Sequence, residues 1–167
     1  MNVSELSALI NEASDGDIDA YLKLYGAVYR PLYKIARTAL KTQEEAVCAI
    51  HQTALDSFAA LPAARITGNA AFIEWIVKIL CTKFRHLYKI SQGAHQDAKP
   101  QTPKEFDMRA ALDTLPDIER LVLAVSTVCG CSAEKTAKLC GYTEETVSVC
   151  LTNAEVTLKT LLLSKSE

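Results

Sequence analysis

Glycine and proline are scarce, at six and five in 167 residues. This excludes collagen-like repeats and Pro/Gly-rich low complexity, and a 49% hydrophobic content excludes disorder throughout. No run approaches the ~20 apolar residues of a membrane span, so no membrane association is expected. Met1-Asn2-Val3-Ser4-Glu5 offers neither the basic nor the apolar stretch of a secretory signal, and a cytoplasmic location is expected. No phosphate-cradling glycine loop, nucleophile–base pattern or pair of carboxylates in a plausible pocket occurs, so no catalytic residue is assigned and the chain is not read as an enzyme. An excess of charge is missing too. Eighteen Lys+Arg against 20 Asp+Glu give a net charge of −2, far from the basic signature of a nucleic-acid binder. Residues 1–92 come to +1 and residues 93–167 to −3, so the C-terminal part has the weaker electrostatic case for DNA.

Cysteine is the residue present in excess. Cys48, Cys81, Cys129, Cys131, Cys140 and Cys150 are expected to be reduced. Four of them fall between 129 and 150, which raises zinc or thiol chemistry. Without a Cys-x-x-Cys pair or a nearby histidine, packing as small hydrophobes is the preferred reading, and neither metal nor cofactor is expected.

Apolar residues recur with helical period along nearly the whole chain, and no segment alternates over strand length. The fold class expected is all-α, as two small helical modules joined by a flexible linker. Leu6, Leu9 and Ile10 mark a short first helix. Ser14-Asp15-Gly16-Asp17 is a break with capping residues, followed by Ala20, Leu24, Val28, Leu32, Ile35 and Ala36, with Pro31 set to kink the run. A helix is expected from Gln43 to Ala60, ended by Leu61-Pro62. The stretch Ala70–Ile90 carries Phe72, Ile76, Leu80, Phe84 and Leu87 on one face. Opposite stand Lys78, Arg85 and Lys89; with Lys83 they make residues 78–90 basic and free of acid. This stripe is either a solvated helix face or a nucleic-acid surface. Residues 91–106 lack period and hold two prolines, as a linker does. The boundaries are therefore 1–90, 91–106 and 107–167, with helices expected at 107–114, 117–128, 132–140 and 144–163.

Ser132-Ala-Glu-Lys-Thr-Ala-Lys-Leu-Cys-Gly-Tyr-Thr-Glu-Glu-Thr-Val147 has helix-turn-helix spacing. Ala137 is small where two helices cross, Gly141 supplies a turn in which positive φ is cheap, and Val147 packs the second helix back. Thr143 suits an N-cap. Any tight helical hairpin is the alternative. With Leu112-Asp-Thr-Leu-Pro-Asp-Ile-Glu-Arg-Leu-Val-Leu before it, this region resembles the C-terminal domain of bacterial sigma factors of the extracytoplasmic-function type. Gly16-Asp17-Ile-Asp-Ala20, Leu32-Tyr-Lys-Ile-Ala-Arg37, Leu55-Asp-Ser-Phe-Ala-Ala-Leu-Pro62 and Phe72-Ile-Glu-Trp-Ile-Val-Lys-Ile79 resemble its N-terminal domain. The similarity spans about residues 15–164.

The resemblance implies a protein that binds core RNA polymerase and promoter DNA, with an anti-sigma or other regulatory protein as a further partner. It carries DNA contact onto Lys78, Lys83, Arg85, Lys89, Thr143, Thr146, Ser148, Thr152 and Asn153, and polymerase contact onto Glu45, Cys48, Ala49, Ile50 and Gln52. The sequence also departs from the pattern. The family's recognition helix continues into a basic run, whereas residues 143–167 hold two Lys and four Glu. Only the first acid of the family's acidic polymerase-contacting segment survives, as Glu45, and Thr82 and His86 stand where Asn and Asp are usual. The other reading is a sigma-like interaction module or decoy that has lost promoter reading. Val149, Val156 and Leu163 favour a protein partner, forming a second apolar line opposite Val147, Leu151, Ala154, Leu158 and Leu161. His51 and His86 are read as surface histidines without a role.

Overall fold

A computed structural model describes residues 3–91 and 108–163. Among these there are eight helices and no strand, so the all-α expectation holds. They are α1 (Val3–Ser14), α2 (Ile18–Ala39), α3 (Gln43–Ala64), α4 (Asn69–Ser91), α5 (Met108–Asp113), α6 (Asp117–Cys129), α7 (Ala133–Cys140) and α8 (Glu144–Leu163). The linker expected at 91–106 falls, from residue 92 on, outside the described residues; Ser91 still belongs to α4.

Local chemistry sets most of the boundaries. Asp17 caps α2 by accepting from the N–H groups of Asp19 and Ala20 at 2.9 and 3.0 Å. Thr42 and Glu45 form a reciprocal capping box at the start of α3. Ser132 accepts from Lys135 N–H at the start of α7, and Gly141 ends that helix at φ +73°, where a side chain would be strained.

Pro31 and Pro62 both lie inside a helix, and the stop expected at Leu61-Pro62 is corrected. Pro31 is exposed inside a continuous α2, so the carbonyl it leaves without a helical donor can face water. Pro62 lies in the last turn of α3 and does not stop it; the helix runs to Ala64 and closes on Arg65 in the left-handed conformation.

One continuous core passes through both halves of the chain. Leu24, Ile35, Phe72, Leu80 and Phe84 from the N-terminal helices pack in the same cluster as Leu121, Val125, Leu139 and Cys140. A smaller cluster of Val122, Ala137 and Val147 holds α6, α7 and α8 together. Tyrosines tie the N-terminal helices to one another: Tyr21 Oη donates to Ala54 O at 2.7 Å and Tyr25 Oη to Ile50 O at 2.8 Å.

Two arginines do the same between the halves. Arg120, 1% exposed, donates from Nε to Ala39 O and from Nη1 to Leu115 O, each at 3.1 Å, and pairs with Asp117. Arg109 donates to the carbonyls of Arg37, Leu40 and Lys41. These carbonyls are at the C-terminal end of α2, where helical donors run out and the macrodipole is negative, so cations are favoured there.

Candidate polymerase and nucleic-acid interface

The basic stripe on α4 is dispersed rather than continuous. Lys78 is exposed. Lys83 is paired with Asp56 of α3. Arg85 is half-buried against the α7–α8 turn, so close that a carbon added to Gly141 would lie 2.7 Å from Arg85 Nη1. Lys89 is on α4, with a side chain outside those described. One turn from Lys78, Glu74 accepts from Lys135 of α7 at 2.6 Å. That hydrogen bond holds the Glu74 carboxyl below its ordinary range, burial works the other way, and the charges of Lys135 and Lys78 lower it further. The stripe thus borders the second half of the chain, and α7 neutralises part of what surrounds it.

On α8 the polar candidates are exposed but mostly turned inward on their own helix. Thr143 Oγ1 accepts from Thr146 N–H at 3.2 Å and lies 2.8 Å from Thr146 Oγ1, which makes Thr143 the cap. Thr152 donates to Ser148 O at 2.9 Å. Ser148 and Asn153 stand on the exposed side, and farther along Glu155 takes Lys159 in an ion pair. No cation of α8 is left to meet a phosphate among the described residues. The outer apolar line is uncovered by the N-terminal helices: Val149, Val156 and Leu163 are 54%, 58% and 71% exposed.

The α3 candidates divide by face. Ala49 and Ile50 are 2% and 1% exposed and belong to the core. They offer no side-chain surface to a partner, which corrects their assignment as polymerase contacts. Cys48 and Gln52 are exposed, as is Glu45, whose carboxylate also closes the capping box. Sequence reasoning missed Val47 and Leu55, which with Glu44, Cys48, His51 and Gln52 line a shallow depression of about 470 Å³. Leu55 is 71% exposed. The signal that could have found it is periodicity, because 48, 51, 52 and 55 share one face while 46, 49, 50, 53 and 57 share the buried one.

The cysteines cluster where the halves meet. Cys81 of α4 and Cys140 of α7 are both buried, and the neighbouring Cys140 thiol together with burial pushes the Cys81 thiol well up. Burial likewise raises Cys129, to about 11, with Cys131 beside it. Protonated thiols in apolar surroundings are poor nucleophiles. No group of three or more His, Cys, Asp or Glu among the described residues is placed to hold a metal ion.

Comparison with known proteins places this architecture. No family model matches the sequence, and no curated protein matches it. Solved structures do. The sigma factor RpoE from Bartonella quintana, in complex with the anti-sigma factor NepR, superposes with a TM-score of 0.68 at 19% identity, over 87% of this chain and 98% of that one. The chain has a sigma-factor fold. CnrH, solved in complex with the cytosolic domain of CnrY, gives the same TM-score at 21% identity, over 96% of this chain and 98% of its own. The sigma-factor fold therefore extends across both halves. No helix among the described residues is long and apolar enough to cross a membrane.

Proposed function

We propose that this chain is a sigma-factor-like transcription initiation protein of the extracytoplasmic-function type, binding core RNA polymerase and promoter DNA in the cytoplasm. The observation that carries the reading is the near end-to-end superposition on a sigma factor, covering 98% of that protein. Residues 1–90 form the polymerase-docking and promoter-melting unit, 91–106 the linker, and 107–167 the unit that meets upstream DNA through a helix-turn-helix made of α7 and α8. The exposed α3 face of Glu45, Cys48, Gln52 and Leu55 is the polymerase surface, and Lys78 with Lys89 supplies charge toward the melted strand. The protein acts by binding rather than by catalysis, and no cofactor takes part.

A specific observation supports a second reading. The outer face of α8 pairs an uncovered apolar line with a lack of free cations, and both superposed proteins were solved with a protein partner. A regulatory protein of the anti-sigma type is thus a natural partner, and promoter reading by α8 rests on hydrogen bonds without long-range attraction.

The test is fluorescence anisotropy of forked promoter DNA titrated with core polymerase, with and without the chain. The chain should tighten binding, and Lys78→Ala with Lys89→Ala should reverse the gain. Ser148→Arg with Asn153→Arg should strengthen DNA binding and steepen its salt dependence, each new phosphate contact releasing about one counterion. No gain from adding the folded chain would refute the promoter-binding role.

A further inference from the structure

Arg85 is a half-buried cation on α4. None of the ion pairs among the described residues includes it, although it faces a cleft of about 610 Å³ between α4, the start of α6 and the α7–α8 turn. We propose that this cleft is a binding site for a small phosphorylated ligand of nucleoside-monophosphate size, anchored by Arg85.

Four observations converge on that chemistry. A guanidinium removed from water on one side and lacking a counter-charge is costly, and an oxyanion meeting its two-pronged donor set relieves that cost with short, charge-assisted bonds. The guanidinium lies on the cleft side of the Gly141 turn, close enough that a carbon added to Gly141 would meet it. Opposing charge is reduced, because the one carboxylate lining the cleft among the described residues, Asp117, is already paired with the buried Arg120. The walls suit a flat apolar body, since Tyr142 and Ile118 line the cleft beside Pro116, and the volume falls within the range of small-ligand sites.

Residues from both halves of the chain build this site. A ligand in it bridges α4 to α6 and to the α7–α8 turn, and by mass action favours the arrangement in which the halves are packed together. The inference does not depend on polymerase binding, so the two are tested separately.

The experiment is isothermal titration of the full chain with the four ribonucleoside monophosphates and with inorganic phosphate, alongside thermal unfolding. At least one nucleotide should bind more tightly than inorganic phosphate and raise the unfolding temperature. Arg85→Gln and Ile118→Glu should each weaken that binding by roughly tenfold or more. Arg85→Lys keeps a charge but not the fork, and should also weaken it. Lys78→Ala, outside the cleft, should change it less than about twofold. Absence of heat and of a thermal shift with every nucleotide at millimolar concentration would overturn the proposal. So would binding no better than inorganic phosphate, or equal losses in Lys78→Ala and Arg85→Gln, which would mark diffuse surface attraction instead.

Discussion

Replacing Arg120 with methionine should cost this protein much of its stability. The side chain is 1% exposed and makes two hydrogen bonds at 3.1 Å, to Ala39 O in α2 and Leu115 O before α6, plus an ion pair with Asp117. Methionine preserves most of the apolar stem but removes all three polar contacts. Ala39 O retains the Tyr88 hydroxyl at 3.0 Å, so that carbonyl is not stranded. The Leu115 carbonyl loses its arginine donor, and Asp117 loses its counter-ion. The two hydrogen bonds from the charged guanidinium contribute about 1.5–3 kcal/mol each without adding fully, while Asp117, 32% exposed, stays solvated and its lost pairing adds little. The expected loss is therefore about 3–5 kcal/mol, out of a total stability of about 5–15 kcal/mol. With a urea slope of about 2 kcal/mol/M, the midpoint should fall by about 2 M in a denaturation followed by circular dichroism. Tyr88→Phe, which removes the other donor to Ala39 O, should cost about 1 kcal/mol, and the double variant should depart from additivity by more than about 0.5 kcal/mol. A midpoint shift below about 0.5 M for Arg120→Met would refute the view that this arginine holds the two halves together.

Other outcomes follow from single contacts. Thr42→Ala removes one side of the capping box on α3 and should destabilise the fold by about 1 kcal/mol, read as a lowered thermal midpoint. Lys135→Met should move the Glu74 titration upward in a carbon-detected NMR experiment. Because the folded carboxyl is held low, the stabilisation it gives is present above the ordinary carboxylate range and fades as pH falls through the lowered value. An unmoved midpoint would mean the Lys135–Glu74 pair does not form in solution. Toward an aromatic disulfide reagent, exposed Cys48 should react at once, while buried Cys81 and Cys140 should react only as fast as the protein opens. Fast reaction of all six thiols would show that α4 and α7 are not packed together.

Much of the helical framework was legible because its signals are local. The Asp17 cap, the Gly141 turn and the Phe72–Ile76–Leu80–Phe84 face each depend on residues a few positions apart, and the helices appear within a few residues of where the pattern puts them. Pro62 misled because proline costs one hydrogen bond and crowds the carbonyl four residues back, yet its own φ is helical, so α3 runs two residues past it to Ala64. The packing between the halves was not legible at all. Arg109 and Arg120 act on carbonyls that lie 68 to 81 residues earlier in the chain, and nothing in their neighbourhood names that partner. The site residues fared worst where family resemblance outran periodicity. Matching the segment Glu45–Gln52 selected a stretch of chain, whereas a packed helix exposes only one face of it; Ala49 and Ile50 are on the buried face, and Leu55 lies beyond that segment. Arg85 shows the same limit. Its spacing with Lys78 aligned the two on a helix, but the turn that covers one and leaves the other exposed comes from residues more than fifty positions away.

Whether this chain docks on RNA polymerase is decided by gel filtration of the purified chain with core enzyme from its source cell. The two should co-elute at the polymerase position, and Leu55→Glu, which places a charge on the exposed α3 face without disturbing the core, should abolish co-elution. A chain that is folded by circular dichroism yet elutes apart from polymerase would contradict docking, and would leave the sigma-factor fold without the sigma-factor role.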